Sequence, residues 1–172
     1  MNQTEFSTVV VKRLMKKYGD YSDELLHFEN PTQMLIAAIL SPQCTDKQVN
    51  ATTEHLFKRF KAIGDYADVN LRALRSELNG INYYKTKARH VREAAKIVVE
   101  RFNGKVPKTM GELMELPGVG RKVANVILTN GFGMNEGIAV DTHVITVASR
   151  LKLTRTRNPD RIEQDLLRKV PK

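Results

Sequence analysis

The sequence predicts an all-α protein. Apolar residues recur at the three- and four-residue spacing of a helix face through most of the chain, and no segment alternates between apolar and polar residues as a half-buried strand does. Asn30-Pro31 and Asn158-Pro159 are typical helix starts, because Asn caps the first turn and Pro fits its first position. Asn79-Gly80 and Asn103-Gly104 are typical helix ends.

Each predicted helix has a local signal. Residues 4–17 are amphipathic, although β-branched residues lower their helix propensity. Residues 34–40 are almost wholly apolar, so we expect that helix to be buried on most sides. Thr45 is the expected N-cap of the next helix, and Thr109 with Glu112 resembles a capping box. The predicted helices cover residues 4–17, 31–40, 46–60, 71–78, 84–102, 110–116, 121–131, 142–151 and 159–170.

Composition limits the partners and the compartment. The 172 residues carry a formal net charge of +9, which favours a polyanionic partner. No apolar run approaches the ~20 residues of a membrane span, and the first residues lack the pattern of a signal peptide. An intracellular protein is therefore expected. Cys44 is the only cysteine, which excludes an internal disulfide and an all-cysteine metal site within a monomer.

A tight Pro-Gly-Val-Gly turn separates two predicted helices. Pro117 cannot continue the first helix, whereas Gly118 and Gly120 can take positive φ and allow another molecule's backbone to approach. The following amides lie at a helix N-terminus, which attracts phosphate, and Arg121 and Lys122 add positive charge. The turn is either a connection between core helices or a helix-hairpin-helix that holds a nucleic-acid backbone without reading its sequence.

A carboxylate follows the hairpin. Asp141 lies 19 positions after Lys122, behind an apolar run and ahead of a helical pattern, so it is an expected N-cap. A capping role does not exclude a catalytic one.

These motifs together resemble those of the endonuclease III family of DNA glycosylases. Leu116–Lys122 and Val140–His143 are similar to the family's hairpin and its downstream Asp segment. The resemblance extends to Ser41–Asp46 and Asn103–Pro107. It covers most of the chain, from Asn30 to the end.

The resemblance implies two helical lobes that flank a DNA-binding cleft. Residues 23–133 would form a six-helix barrel that contains the helix-hairpin-helix. Residues 1–22 and 134–172 would form a second lobe, which we expect to be incomplete. Lys122 and Asp141 would lie on opposite lips of the cleft. The expected partner is double-stranded damaged DNA, bound by a monomer that is cytoplasmic or nucleoid-associated.

The resemblance also bears on cofactors. Many relatives carry four cysteines beyond the point where this sequence stops, and those cysteines hold a [4Fe–4S] cluster. Because this chain has only Cys44, no cofactor and no metal site are expected in it.

The activity that the resemblance implies is that of a bifunctional DNA glycosylase/AP lyase of base excision repair, removing oxidised pyrimidines. Lys122 would attack C1′ of the deoxyribose, expel the base and form a Schiff base that permits β-elimination. Asp141 would stabilise the cationic sugar and move protons. A lysine amine reacts only when it is neutral, and Arg121 with the helix N-terminus supplies a positive field that favours that form. The alternative for Lys122 is a surface lysine that contacts phosphate.

The resemblance also implies that two loop residues act on the duplex. Gln43 would fill the gap left by an extruded base, and Tyr83 would enter the base stack as a wedge. Family members usually have Gly before the wedge; here Asn82 occupies that position, and Asn tolerates the left-handed conformation better than most residues. The alternatives are an exposed loop amide for Gln43 and core or rim packing for Tyr83. The full set of expected DNA-binding residues is Gln43, Tyr83, Gly118, Val119, Gly120, Arg121 and His143, the last as a neighbour of Asp141 and not as a catalyst.

Two other functions stay open on the sequence. One is an 8-oxoguanine glycosylase/lyase with the same chemistry, and the other is a non-catalytic DNA-binding module that retains the hairpin. The Ser41–Asp46 loop favours the endonuclease III side, and an amine at Lys122 favours a combined glycosylase and lyase. The preferred lesion does not follow from the sequence.

Overall fold

The computed structural model of the chain describes residues 3–19 and 25–170. Within these ranges the chain is helical and contains no strand. None of these helices combines the length and the hydropathy that a membrane crossing requires. The elements are α1 (Gln3–Tyr18), α2 (Pro31–Leu40), α3 (Asp46–Arg59), α4 (Ile63–Asp68), α5 (Leu71–Glu77), α6 (Tyr84–Phe102), α7 (Met110–Met114), α8 (Arg121–Val126), a π-helical turn (Ile127–Gly131), α9 (Thr142–Arg150) and α10 (Pro159–Lys169).

The chain divides into two compact units. One is Glu24–Met134, and the other combines Met1–Asp23 with Asn135–Lys172. The predicted division between residues 22 and 23 falls outside the described residues.

The unit Glu24–Met134 is built around α2. Every residue from Met34 to Leu40 is at most 3% exposed, which confirms the prediction of a helix buried on most sides. Helix α6 packs against α2, α4 and α5, and the π-helical turn packs against α2. The last turn of α2 therefore ends inside the protein, where its carbonyl groups need hydrogen-bond donors.

Local caps fix the helix starts at the predicted residues. The side chains of Asn30, Thr45 and Asn158 accept hydrogen bonds from backbone amides in the first turns of α2, α3 and α10. Thr109 accepts from the amide of Glu112, and its hydroxyl donates to the Glu112 carboxylate at 2.7 Å. These hydrogen bonds confirm the predicted caps. A cap can be predicted from sequence because it depends only on residues that are close along the chain.

Three elements differ from the sequence prediction. Helix α4 was not predicted, because Ala62 cannot cap it; instead the carboxylate of Asp65 accepts from the amides of Lys61 and Ala62. Helix α7 ends at Met114, and Leu116 lies in the following turn. The second hairpin helix changes to π-helical geometry at Ile127. A π-helical turn of this kind depends on packing and has no strong sequence signal.

The other unit has a smaller apolar core. It is formed by Val140, Ala148, Leu153, Ile162 and Leu166, with Phe6 of α1 packed against them. The buried hydroxyl of Ser7 donates to the carbonyl of Lys169, which ties α1 to the end of α10. This core supports α9, the helix that follows Asp141.

One buried polar atom gives a prediction for stability. Tyr66 is 1% exposed, and among the described residues its hydroxyl has no hydrogen-bond partner. Burial, and then the charge of Asp65, raise the pKa of Tyr66 above its ordinary value. Tyr66→Phe should therefore raise the free energy of unfolding by about 1 kcal/mol at pH 7.5.

The pH dependence follows from the direction of that shift. The unfolded chain ionises this tyrosine above about pH 10, whereas the folded chain keeps it neutral. Tyr66 ionisation therefore does not affect the free energy of unfolding of the wild type below that pH, and it lowers that free energy as the pH rises above it. Urea titrations at pH 7.5 and pH 10.5 should show the gain from Tyr66→Phe growing with pH. Tyr83→Phe, at a 67% exposed position, is the control and should change neither value. A destabilised Tyr66→Phe protein would contradict the prediction.

Candidate nucleic-acid interface and catalytic residues

The hairpin between α7 and α8 is held from inside the unit Glu24–Met134. The amide of Leu116 donates to the carbonyl of Leu113 at 3.1 Å, and the amide of Val119 donates to Leu116 at 3.0 Å. The side chains of Leu116 and Val119 are both buried. Val119, predicted to hold DNA, is thus mainly an anchor for the turn through its side chain.

The two hairpin glycines have different roles. Gly118 has φ +84°, and a Cβ atom there would lie 3.1 Å from both His90 Nδ1 and Ile39 Cγ2. Gly120 has φ −91° and nothing within 4 Å of the corresponding position. Gly120 therefore does not use the positive φ that a glycine can adopt. Its missing side chain instead leaves open space next to the start of α8.

The first turn of α8 carries the predicted cationic pair. Gly120 is the N-cap and supplies no side-chain acceptor, so the first amides of α8 lack a side-chain cap. Arg121 is half-buried and Lys122 is exposed. Lys122 also lines a small cavity of about 20 Å³ together with Ser41 and Pro42. The structure thus brings the hairpin lysine next to the loop that contains Gln43.

Asp141 belongs to the other unit and begins α9. Its Oδ1 accepts from the amide of Val144 at 2.8 Å, which confirms the predicted N-cap. The carboxylate is half-buried. Because a carboxylate has about four acceptor sites, a single capping bond leaves capacity for another partner. His143 is exposed in the first turn of the same helix.

Gln43 and Tyr83 share an unusual backbone conformation. Their φ angles are +58° and +59°, in the left-handed region that costs a non-glycine residue roughly 1–2 kcal/mol. Both side chains are exposed, and Tyr83 is 67% exposed. Core packing of Tyr83, the alternative reading of the sequence, is thus wrong. Such strain is kept only where the surrounding structure over-determines it.

The left-handed residue of this turn is not Asn82, the residue that the sequence indicated. Asn82 does not have positive φ; Tyr83 itself takes that conformation, as the N-cap of α6. Asn82 contributes through its side chain, whose Nδ2 donates to the carbonyl of Gln43 at 2.6 Å. This contact joins the two loops that hold the two predicted DNA-contacting side chains.

The residues that the structure describes do not fit a metal site, and the single cysteine of the chain does not fit an iron–sulfur cluster. Within the described ranges, no group of three or more His, Cys, Asp or Glu side chains is arranged to bind an ion. Cys44 lies 3.3 Å from Lys87 Nζ, so its thiol is next to a cation. A [4Fe–4S] cluster needs four thiolates, and this chain has one cysteine.

Comparisons with known proteins show the family of the chain. Residues 36–172 match the HhH-GPD superfamily of base excision DNA repair proteins. Endonuclease III of Bacillus subtilis is 43% identical over 150 residues, which cover 87% of this chain and 68% of that protein. Endonuclease III of Synechocystis is 41% identical over 158 residues, which cover 92% of this chain and 72% of that protein.

The similarity extends to three dimensions. A solved structure of a trapped endonuclease III–DNA covalent intermediate matches 99% of this chain and 80% of its own, with a TM-score of 0.92 and 38% identity. The chain belongs to the endonuclease III family. In this family member, the all-α fold and the hairpin motif are those that the sequence predicted.

Sequence reasoning missed the residues that support the two loops of this endonuclease III family member. Lys87 is buried, and its ammonium donates to Leu40 and Pro42. Gln48 donates through its side chain to the carbonyl of Gly80. Helix α6 carries several basic residues, and no local pattern distinguishes the one lysine that turns inward from those that face solvent.

The two hairpin glycines allow a matched test. Gly118→Ala should lower the free energy of unfolding by about 1–3 kcal/mol, because it forces a Cβ atom into a positive-φ position against Ile39 and His90. Gly120→Ala should leave the stability within about 0.5 kcal/mol. Urea denaturation measures both values.

The second glycine variant should instead weaken DNA binding, because its methyl group occupies the space open to a phosphate backbone. Fluorescence anisotropy with an abasic-analogue duplex measures this affinity. Equal stability losses in both variants would show that the glycines do not have separate roles.

Proposed function

We propose that this chain is a bifunctional DNA glycosylase/AP lyase of base excision repair that removes oxidised pyrimidines. The observation that carries the proposal is the exposed amine of Lys122 in the first turn of α8, directly after a glycine hairpin. Support comes from a relative of 38% identity that was trapped as a covalent intermediate with DNA. A covalent intermediate requires a nucleophilic side chain, and an amine is one of the few that form a Schiff base.

Lys122 acts first as the nucleophile. The lone pair of its Nζ forms a bond to C1′ of the deoxyribose, and the glycosidic bond breaks with its electron pair leaving on the base. Opening of the sugar ring gives a Schiff base between Nζ and C1′. Loss of a proton from C2′ then expels the 3′ phosphate by β-elimination.

Asp141 supplies negative charge during the same reaction. The sugar becomes cationic as the base departs, and a carboxylate stabilises that charge. Its capping bond to Val144 fixes one oxygen, so the orientation of the carboxylate is set before substrate binds. Asp141 also accepts and returns protons during ring opening.

The hairpin and the basic surface bind the DNA backbone. Gly118, Val119, Gly120 and Arg121 form the turn. The first amides of α8, which have no side-chain cap, bind a phosphate, and Gly120 leaves room for it. The net charge of +9 strengthens binding to any duplex and makes it salt-dependent. His143, exposed in the first turn of α9, is a further DNA contact.

Gln43 and Tyr83 support base extrusion. A base inside a stacked duplex hides its C1′, so the enzyme has to extrude the nucleotide at a cost of a few kcal/mol. Tyr83 enters the stack as a wedge, and Gln43 occupies the gap and offers an amide to the base left behind. The exposure of both side chains is what these roles require. The preference for oxidised pyrimidines rests on the Ser41–Asp46 loop, which resembles that of endonuclease III.

Lys122→Ala tests the nucleophile. Borohydride should trap the wild-type chain on an abasic duplex, because it reduces the Schiff base to a stable bond. Lys122→Ala should give no cross-link, whereas Lys96→Ala, at an exposed position of α6, should cross-link normally. The wild-type chain should also release thymine glycol and dihydrouracil faster than 8-oxoguanine.

The outcomes separate the functions. DNA binding without any wild-type cross-link would identify a non-catalytic DNA-binding module. Faster release of 8-oxoguanine than of the oxidised pyrimidines would overturn the substrate class and leave the lysine chemistry intact. An undiminished cross-link after Lys122→Ala would overturn the assignment of the nucleophile.

Two substitutions of Asp141 separate its role as an N-cap from its role in catalysis. Asp141→Ala should cost about 1 kcal/mol of stability, because it removes the N-cap of α9. Asp141→Asn keeps a good capping side chain and should keep the stability, but its excision rate should fall roughly 100-fold or more because the charge is gone. Thermal melts and single-turnover excision of thymine glycol measure the two effects. Wild-type excision by Asp141→Asn would show that the residue is only a cap.

A further inference from the structure

Lys87 is the one lysine classed as buried among the described residues, and it is only 6% exposed. It lies in the first turn of α6, and its Nζ donates to the carbonyl of Leu40 at 2.7 Å and to the carbonyl of Pro42 at 2.6 Å. The Sγ of Cys44 lies 3.3 Å from the same nitrogen. Lysines are almost never buried unless their charge is satisfied. An ammonium has three donors, and these contacts use all of them.

The acceptors of these bonds lie at the end of the buried helix α2 and in the loop that follows it. Leu40 is the last residue of α2, and its carbonyl would otherwise be an unsatisfied acceptor in the interior. Pro42 and Cys44 are the two sequence neighbours of Gln43. The ammonium therefore holds the backbone on one side of Gln43 and the side chain on the other.

The backbone of Lys87 reaches the second loop. Its amide donates to the carbonyl of Tyr83 at 3.0 Å, and the amide of Thr86 donates to the same carbonyl at 3.0 Å. These are the ordinary first-turn hydrogen bonds of α6, and they place the side chain of Lys87 one helical turn after Tyr83.

Two further bonds join the same loops. Asn82 donates to the carbonyl of Gln43 at 2.6 Å, and Gln48 donates to the carbonyl of Gly80. Both Gln43 and Tyr83 keep left-handed backbone angles, which the chain adopts only where contacts impose them. Hydrogen bonds therefore join the two loops to each other.

We propose that Lys87 is a positioning residue that holds Gln43 and Tyr83 in fixed register, so that both enter the duplex in a single step. The inference rests on the proposed function of those two side chains. Pre-organising them in the free protein removes the entropy that would otherwise be lost on binding DNA. Lys87 itself does not touch the substrate.

The test compares Lys87→Met with Lys96→Met. Each change replaces one lysine of α6 with an uncharged side chain of similar length, but Lys96 is exposed. On a duplex that contains thymine glycol, Lys87→Met should lower single-turnover excision roughly 10- to 100-fold, because misplaced groups cost about that much. Lys96→Met should change it less than about twofold.

A second substrate separates positioning from damage to the reacting site. A single-stranded abasic oligonucleotide has no stacked duplex to open, so borohydride trapping on it should be equal for Lys87→Met and the wild type. A parallel loss on this substrate would overturn the inference, because it would show that Lys122 had been disturbed.

A mutant cycle tests whether Lys87 acts through the two loop residues. In a background that carries Gln43→Ala and Tyr83→Ala, the change Lys87→Met should lower excision less than about twofold further. A loss as large as in the wild-type background would overturn the inference.

Asn82→Ala covers the case in which Lys87→Met does not fold. Asn82 is exposed, so its loss removes one bond to Gln43 without opening the core. It should give the same pattern with a smaller loss: reduced duplex excision and unchanged single-strand trapping. Wild-type duplex excision by Asn82→Ala would overturn the inference in that case. Absence of trapping by the wild-type chain would instead contradict the proposed function.

Discussion

The complete burial of α2 is the constraint on which the rest of this structure depends. Because Met34–Leu40 has no exposed face, the carbonyl groups at its end lie in the interior and must be satisfied by protein donors. The amide of Ser41 satisfies Ala37, and the ammonium of Lys87 satisfies Leu40. The loop after α2 is therefore held by the hydrogen bonds that the buried helix requires. A structural need of the core fixes a loop at the surface.

The hairpin follows the same division between inside and outside. Gly118 is required by the packing on its inner side, where Ile39 of α2 and His90 of α6 leave no room for a Cβ atom. Gly120 faces open space, and its lack of a side chain affects only what can approach from solvent. The same residue type therefore appears twice within three positions for different physical reasons. Lys122 follows four positions after Gly118 and is exposed, so the packing around Gly118 positions the turn that leads to it.

Local signals determined most of what could be predicted for the site. Asp141 was identified as an N-cap because capping depends on a contact three residues away, with the amide of Val144. The hairpin was identified because Pro and Gly punctuate the chain wherever they occur. Helix α4 escaped prediction since its start relies on Asp65 inside the helix and not on a capping residue before it.

The sequence by itself determined the all-α class, the positions of most helix caps, the glycine hairpin and the single cysteine. Only the tertiary structure decided that Lys87 turns inward, that Tyr83 and not Asn82 takes the left-handed conformation, and that Gly120 is not conformationally required. The physical reason is sequence distance. A cap joins residues three positions apart, whereas Lys87 meets Pro42 across 45 positions, and such a contact exists only after the helices have packed.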